Sequence, residues 1–208
     1  MSSTSDGPEN GDLRRRILDT ARHQLVQEGY QDLSMRKIAS AIGYSATSIY
    51  LYFDSKDALL HALIHEGMMW LRDKLQETAA QHSDAPVQRM RALCRCFVEF
   101  GLDNPEYYEI MFQLRPERME RYPPEKYRQA RENLDCFAQA VKEGVEDGIF
   151  EVDDIQVLVS TVWASLHGTI SLLLAGRVDV QIDSDTFIDT TIRQAIRGLR
   201  RAPAPSAP

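Results

Sequence analysis

The residues able to do chemistry are few and scattered. His61 and His65 lie four apart, a spacing that puts both on one helix face and can bind a metal. The His-Glu-x-x-His order of a zinc hydrolase is absent, and the stretch is explained as a connecting helix. Cys94 and Cys96, with Cys136, raise a thiol switch or a metal site. Two residues apart on a helix, the first two thiols point in different directions, and no second His/Cys cluster completes a zinc set. There is no pair of carboxylates beside a histidine, no Glu-x-x-His repeat, no nucleophile elbow and no glycine-rich phosphate loop. No catalytic residue, metal site or cofactor is expected. One run is dense in hydrogen-bonding groups of another kind: Tyr44, Ser45, Thr47, Ser48, Tyr50 and Tyr52. Small hydroxyls and tyrosines let a helix approach DNA closely and bond to bases and phosphates.

That run needs an element to present it. The preceding residues predict a helix from Ser34, which can cap it, to Ile42: Met35, Ile38, Ala39 and Ile42 recur at i, i+3, i+4, i+7. Gly43 breaks it, and Ser45 can cap a short helix over about Ala46–Tyr52 whose clear anchors are Ile49 and Phe53. Helix, glycine turn, short helix is helix-turn-helix spacing. A short second helix suits a major groove about 12 Å wide better than a core. Upstream, Leu13–Gln27 reads as a helix with Ile17, Leu18, Ala21 and Leu25 on one face, stopped by Gly29. Downstream, Ser55 can cap a helix to about Glu77 that joins this head to a body. Further helices are expected from Pro86 to about Asp103, from the Asn104-Pro-Glu start to about Leu114, from Pro124 to Gly148, from about Asp154 to Ala175, and from Ser184 to about Arg201. No stretch has the two-residue alternation of a strand.

The chain of 208 residues has a formal net charge of −7, but the charge is uneven. Between Leu13 and Tyr52 six cations (Arg14, Arg15, Arg16, Arg22, Arg36, Lys37) face three acids (Asp19, Glu28, Asp32), a net +3, against −3 before and −7 after. A small basic head on an acidic body points to contact with a polyanion. No run of about 18 purely apolar residues spans a membrane, and the polar start has no signal-peptide core, so a cytoplasmic setting with reduced thiols and no membrane partner is expected. Residues 1–11 and the tail 202–208 have disordered composition, and Arg115–Pro124 reads as a loop.

In the body, residues 154–176 are apolar all round, which predicts burial on every side. Core on one face and a partner subunit on the other would account for it. The expected dimer interface takes Ile155, Val159, Val162, Leu166, Ile170 and Leu173 from this helix, with Ile188, Ile192, Ile196 and Leu199 from the last, as a four-helix bundle. A cavity for a greasy small-molecule effector is expected among Phe97, Phe100, Tyr108, Met111, Phe112 and Phe137, with Trp163 and His167 as further lining. Those last two, four apart on one face, fit a structural pair equally well.

The segment from Arg14 to Ile64, through "ILDTA", "EGY", "IASAIGYS" and "SIYLYFDSKDALL", resembles the DNA-binding head of the tetracycline-repressor (TetR) family of bacterial regulators. "WASLHG" resembles the Trp-x-x-x-His-Gly element of one group of TetR-like C-terminal domains. The resemblance implies an all-α protein with a three-helix helix-turn-helix head over residues 12–58, its linker helix continuing to about 77, and a helical ligand-binding and dimerisation body over 84–201. It implies a homodimer on a palindromic double-stranded operator, most often as a repressor released by an effector. By the same resemblance Tyr44, Ser45, Thr47 and Ser48 face the groove, beside Ala46 and Tyr52, while Tyr50 and Lys56 reach phosphates and Arg36 braces the opposite strand. Ala46 and Leu51 stand where family members often carry Lys or Arg. The reading from a different class is an all-α enzyme or adaptor that does not bind DNA.

Overall fold

The structure, a computed structural model, describes residues 8–83, 85–114 and 123–199. Residues 1–7, most of the expected Arg115–Pro124 loop and the 202–208 tail lie outside them. The fold is all-α, with no β-strand among the described residues. The helices are α1 (Pro8–Asp32), α2 (Met35–Ile42), α3 (Ala46–Tyr50), α4 (Lys56–Ala80), α5 (Pro86–Asp103), α6 (Pro105–Tyr108), α7 (Pro124–Glu146), α8 (Ile155–Leu174) and α9 (Ser184–Arg197). The first begins at Pro8, so residues 8–11 are helical where disorder was expected. A π-helical turn over Glu109–Gln113 follows α6 and closes with the Leu114 N–H donating to the Glu109 carbonyl at 2.8 Å.

Two compact units result, and neither is a simple cut of the chain. One takes Met1–Gly67 with Glu106–Lys126, the other Met68–Pro105 with Tyr127–Pro208. In the first, the expected apolar face of α1 (Ile17, Leu18, Ala21, Leu25) packs on Ile38 and Ala39 of α2, Ile49 of α3 and Leu59, Leu60 and Leu63 of α4. Ile110, from the π-helical turn, joins that core, although the sequence places it in the body. Gly67 makes room for this return of the chain: a Cβ there would sit 2.4 Å from Met111 Sδ and 3.0 Å from Tyr107 Cδ1. A polar seam finishes the contact. Arg15 donates to Glu66 at 2.8 Å, the Tyr107 hydroxyl donates to the same carboxylate, and Arg22 pairs with Glu106 at 3.2 Å.

In the second unit, α5 packs against α8 and α9, which also pack on each other. Asp154 caps α8 by accepting from the Gln156 and Val157 N–H groups, and Asp183 caps α9 by accepting from Thr186 N–H. Buried Arg89 donates to the carbonyls of His82 and Ser83 in the turn after α4 and pairs with Glu143 of α7. Among the described residues one helix, α8, is at 20 residues long and apolar enough by length and composition to cross a membrane; the core helix of a globular protein passes the same test. Its polarity is hidden locally: the hydroxyls of Ser160, Thr161, Ser165 and Thr169 donate back to carbonyls of the preceding turn.

Candidate nucleic-acid interface

The interface is built by caps. Ser34 adopts an extended backbone and accepts the Lys37 N–H, which starts α2. Gly43, at φ 77° and ψ 28°, takes the left-handed conformation that ends it, its N–H returning to Ala39 and Ser40 carbonyls. Two residues later Ser45 is extended again and accepts the Ser48 N–H at 3.2 Å. The turn is therefore fixed at both ends by residue types that favour those conformations. Arg16 of α1 braces it from below, donating to the Ile42 carbonyl at 3.0 Å with its guanidinium 5.4 Å from the Tyr44 ring centre.

On this frame the expected DNA-contacting residues separate. Tyr44, Thr47 and Tyr50 stand exposed, as does Arg36 on α2. Ser45 and Ser48 bond to each other, their hydroxyls 2.9 Å apart, so their hydrogen-bonding capacity is partly used within the cap. Ala46 and Tyr52 are half-buried and pack against the head core, because they fall on the same side as Ile49. Lys56 is engaged within the head. Its Nζ donates to the Tyr30 carbonyl at 2.7 Å and lies 4.0 Å from the centre of the Tyr30 ring, whose hydroxyl donates to Asp57. Leu51, which the sequence marks only as a position lacking a cation, is 81% exposed.

The basic head is less available than its formal charge implies. Arg15 and Arg22 pair with Asp19, Glu66 or Glu106, and Lys37 pairs with Glu28 at 2.6 Å. Those neighbours hold the Arg15 and Lys37 pKa values above their ordinary ones, chiefly through the bonds to Asp19 and Glu28 respectively. Among the described residues, Arg14, Arg16 and Arg36 are the exposed cations of the head that carry no ion pair.

The expected effector residues fall in both units. Tyr108, Met111 and Phe112 belong to the first unit, where the rings of Tyr108 and Phe112 are 5.4 Å apart. Phe97, Phe100, Phe137, Trp163 and His167 belong to the second. There Trp163 lies 4.2 Å from Phe97, 5.8 Å from Phe137 and 5.1 Å from His167 between ring centres, and Trp70 meets Phe100 edge-on at 5.4 Å. Burial pushes the His167 pKa down to about 4, so its ring is neutral near pH 7. The second unit also has open clefts of about 560 Å³, lined by His82, Gln88, Arg91, Arg95 and Asp189, and about 400 Å³, lined by Gln76, Arg89, Glu132, Cys136 and Gln139. Neither contains an expected effector residue. Burial raises the pKa of all three cysteines, that of Cys94 to about 12, which keeps them as thiols. No group of three or more His, Cys, Asp or Glu among the described residues is placed to hold a metal.

Most of the expected dimer residues turn inward. Val159, Val162, Leu166 and Ile170 of α8, and Ile188, Ile192, Ile196 and Leu199 of and after α9, are buried inside the single chain's own second unit. Of the expected set, only Ile155 and Leu173 are half-exposed. The face that α8 leaves open carries Val157, Thr161, Ala164, Gly168 and Leu172.

Residues 17–63 match the family model described as "Bacterial regulatory proteins, tetR family". Residues 90–195 match one described as "Tetracyclin repressor-like, C-terminal domain", a description broader than the Trp-x-x-x-His-Gly group. The HTH-type transcriptional repressor KstR2 of Mycobacterium tuberculosis (strain CDC 1551 / Oshkosh) is 23% identical over 165 residues, 74% of this chain and 80% of its own. A protein of unknown function from Rhodococcus sp. RHA1 shares the fold with a TM-score of 0.79 at 24% identity, over 95% of this chain and 100% of the other. The TetR family transcriptional regulator PfmR from Thermus thermophilus aligns with a TM-score of 0.70 at 20% identity, over 89% and 100% of the two chains.

Proposed function

Because the chain belongs to the TetR family of bacterial transcriptional regulators, which are DNA-binding proteins and not enzymes, we propose that it acts as a homodimeric repressor on a palindromic operator and leaves it when a small apolar effector binds. The observation that carries the reading is the outer face of α3: Tyr44, Thr47, Tyr50 and Leu51 stand exposed on a turn held at both ends by caps. Arg14, Arg16 and Arg36, free of ion pairs, supply phosphate contacts around it. Two heads on one dimer address two half-sites about 34–36 Å apart.

The open face of α8 supports the dimer. Its small residues, Ala164 and Gly168, permit close approach of a second α8, and beyond the backbone of its own helix nothing of the same chain lies within 4 Å of a Cβ added at Gly168. For the effector, buried Phe97 and Phe137 with half-buried Trp163 and His167 supply apolar rings and one neutral imidazole, which suit a largely hydrophobic molecule once their packing opens to admit it. Release then requires linkage: effector and operator weaken each other's binding by the same factor, typically ~5–150-fold.

Selection of duplexes from a random-sequence pool by the purified protein tests the proposal. The expected product is an inverted repeat whose affinity falls steeply with salt. A pool that shows no enrichment after repeated rounds, with the protein folded by circular dichroism, overturns it.

A further inference from the structure

We infer that Leu51, together with the methyl group of Thr47, reads the 5-methyl groups of thymines in the major groove and thereby sets which operator is bound. The inference rests on the DNA-binding reading above. Its starting point is geometric. With 3.6 residues per turn, Thr47 and Leu51 lie on the side of α3 opposite Ile49, and Ile49 is fully buried in the head core. Leu51 caps the helix with right-handed helical backbone angles, φ −69° and ψ −20°, so it continues the same helical face. These two side chains are therefore the apex of the helix, the part that enters a groove deepest. Exposure agrees: Leu51 is 81% exposed and Thr47 is exposed one turn before it.

A lone exposed leucine on a protein surface needs no explanation. The chemistry around this one supplies it. From Tyr44 to Phe53 there is no charged side chain, so the guanidinium and ammonium groups that read guanine are absent from the reading surface. Ser45 and Ser48, which could bond to base edges, are engaged with each other. What the apex offers is apolar: an isopropyl group at Leu51 and a methyl at Thr47, flanked by the rings of Tyr44 and Tyr50. In the major groove the apolar feature that distinguishes one base pair from another is the thymine methyl. The hydroxyl-rich flanks also argue against a protein-docking patch, which would be continuously apolar.

The test uses the operator obtained by selection, with each thymine replaced in turn by deoxyuridine, which differs only in lacking the methyl. Wild-type protein is expected to lose about three- to five-fold in affinity at one or two positions per half-site, the value of one buried methyl. Leu51→Ala should bring the thymine-to-uracil ratio to about one at one of those positions, and Thr47→Ser, which keeps the hydroxyl, should do so at another. Equal wild-type affinity for all uracil-substituted duplexes overturns the inference, as does an undiminished thymine preference in both variants. Because the wild-type series needs no variant, misfolding cannot mimic the result. Failure to select any duplex would instead strike at the DNA-binding reading itself.

Discussion

The ammonium group of Lys56 illustrates how a side chain expected at a phosphate can have work inside its own domain. Its bond to the Tyr30 carbonyl and its seat on the Tyr30 ring tie the end of α1 to the start of α4, and the Tyr30 hydroxyl answers by bonding Asp57. Removing it takes away a charge-assisted hydrogen bond and a cation–π contact, together about 1–2 kcal/mol at a half-exposed site. Lys56→Ala should lower the stability of the protein by that amount in urea titration. It should also weaken operator binding at every salt concentration while leaving the slope of log K against log salt nearly unchanged, as befits a positioning residue. A slope shallower by about one would return Lys56 to the phosphate contacts. The sequence does not single out Tyr30, because nothing local reveals that a residue beyond Gly29 meets a helix that starts 26 positions later.

At the scale of the element, α3 and α8 show opposite degrees of legibility. The boundaries of α2 and α3 follow from Ser34, Gly43 and Ser45, whose side chains or backbone freedom act within a few residues, so the reading turn is visible in the sequence. The helix α8 is visible as a helix, but its inward face is not. When apolar residues occur all round, periodicity cannot say which side meets the core; that is settled by α5 and α9, which lie elsewhere in the sequence. The signal available is the small and hydroxylated set Thr161, Ala164, Ser165 and Gly168 on the opposite side. Within α8, His167 has a consequence for pH. Its folded-state pKa of about 4 lies below the ordinary 6.5, so the unfolded chain takes up the proton first on acidification. The stability it contributes is complete above about pH 6.5 and is lost as pH falls toward 4, a loss of about 1–2 kcal/mol once its partial exposure is allowed for. Urea midpoints at pH 7 and pH 5 should therefore differ in the wild type and differ less in His167→Gln. An equal acid shift in both proteins would assign the sensitivity to other groups.

For the whole molecule, the open face of α8 makes the proposed dimer testable by contrast. Gly168→Glu and Leu172→Glu alter exposed positions, and Glu is a better helix former than Gly, so both variants should stay helical yet sediment as monomers. Ile192→Glu places a charge in the interior of the second unit and should unfold or aggregate instead. A Gly168→Glu protein that remains a dimer would move the seam off this face. The division into two units carries one more consequence, and it concerns synthesis. The head core is missing Ile110 until residues well past Gly67 have been made, since its unit resumes at Glu106. At roughly 5–20 residues per second, about 40 residues of further elongation leave the reading domain unfinished for about 2–8 s. During that time the emerging α5 sequence, which belongs to the other unit, is already available to compete for the same apolar surface. A gene fragment ending at Gly67 would hold every residue of the helix-turn-helix and still encode an incomplete fold.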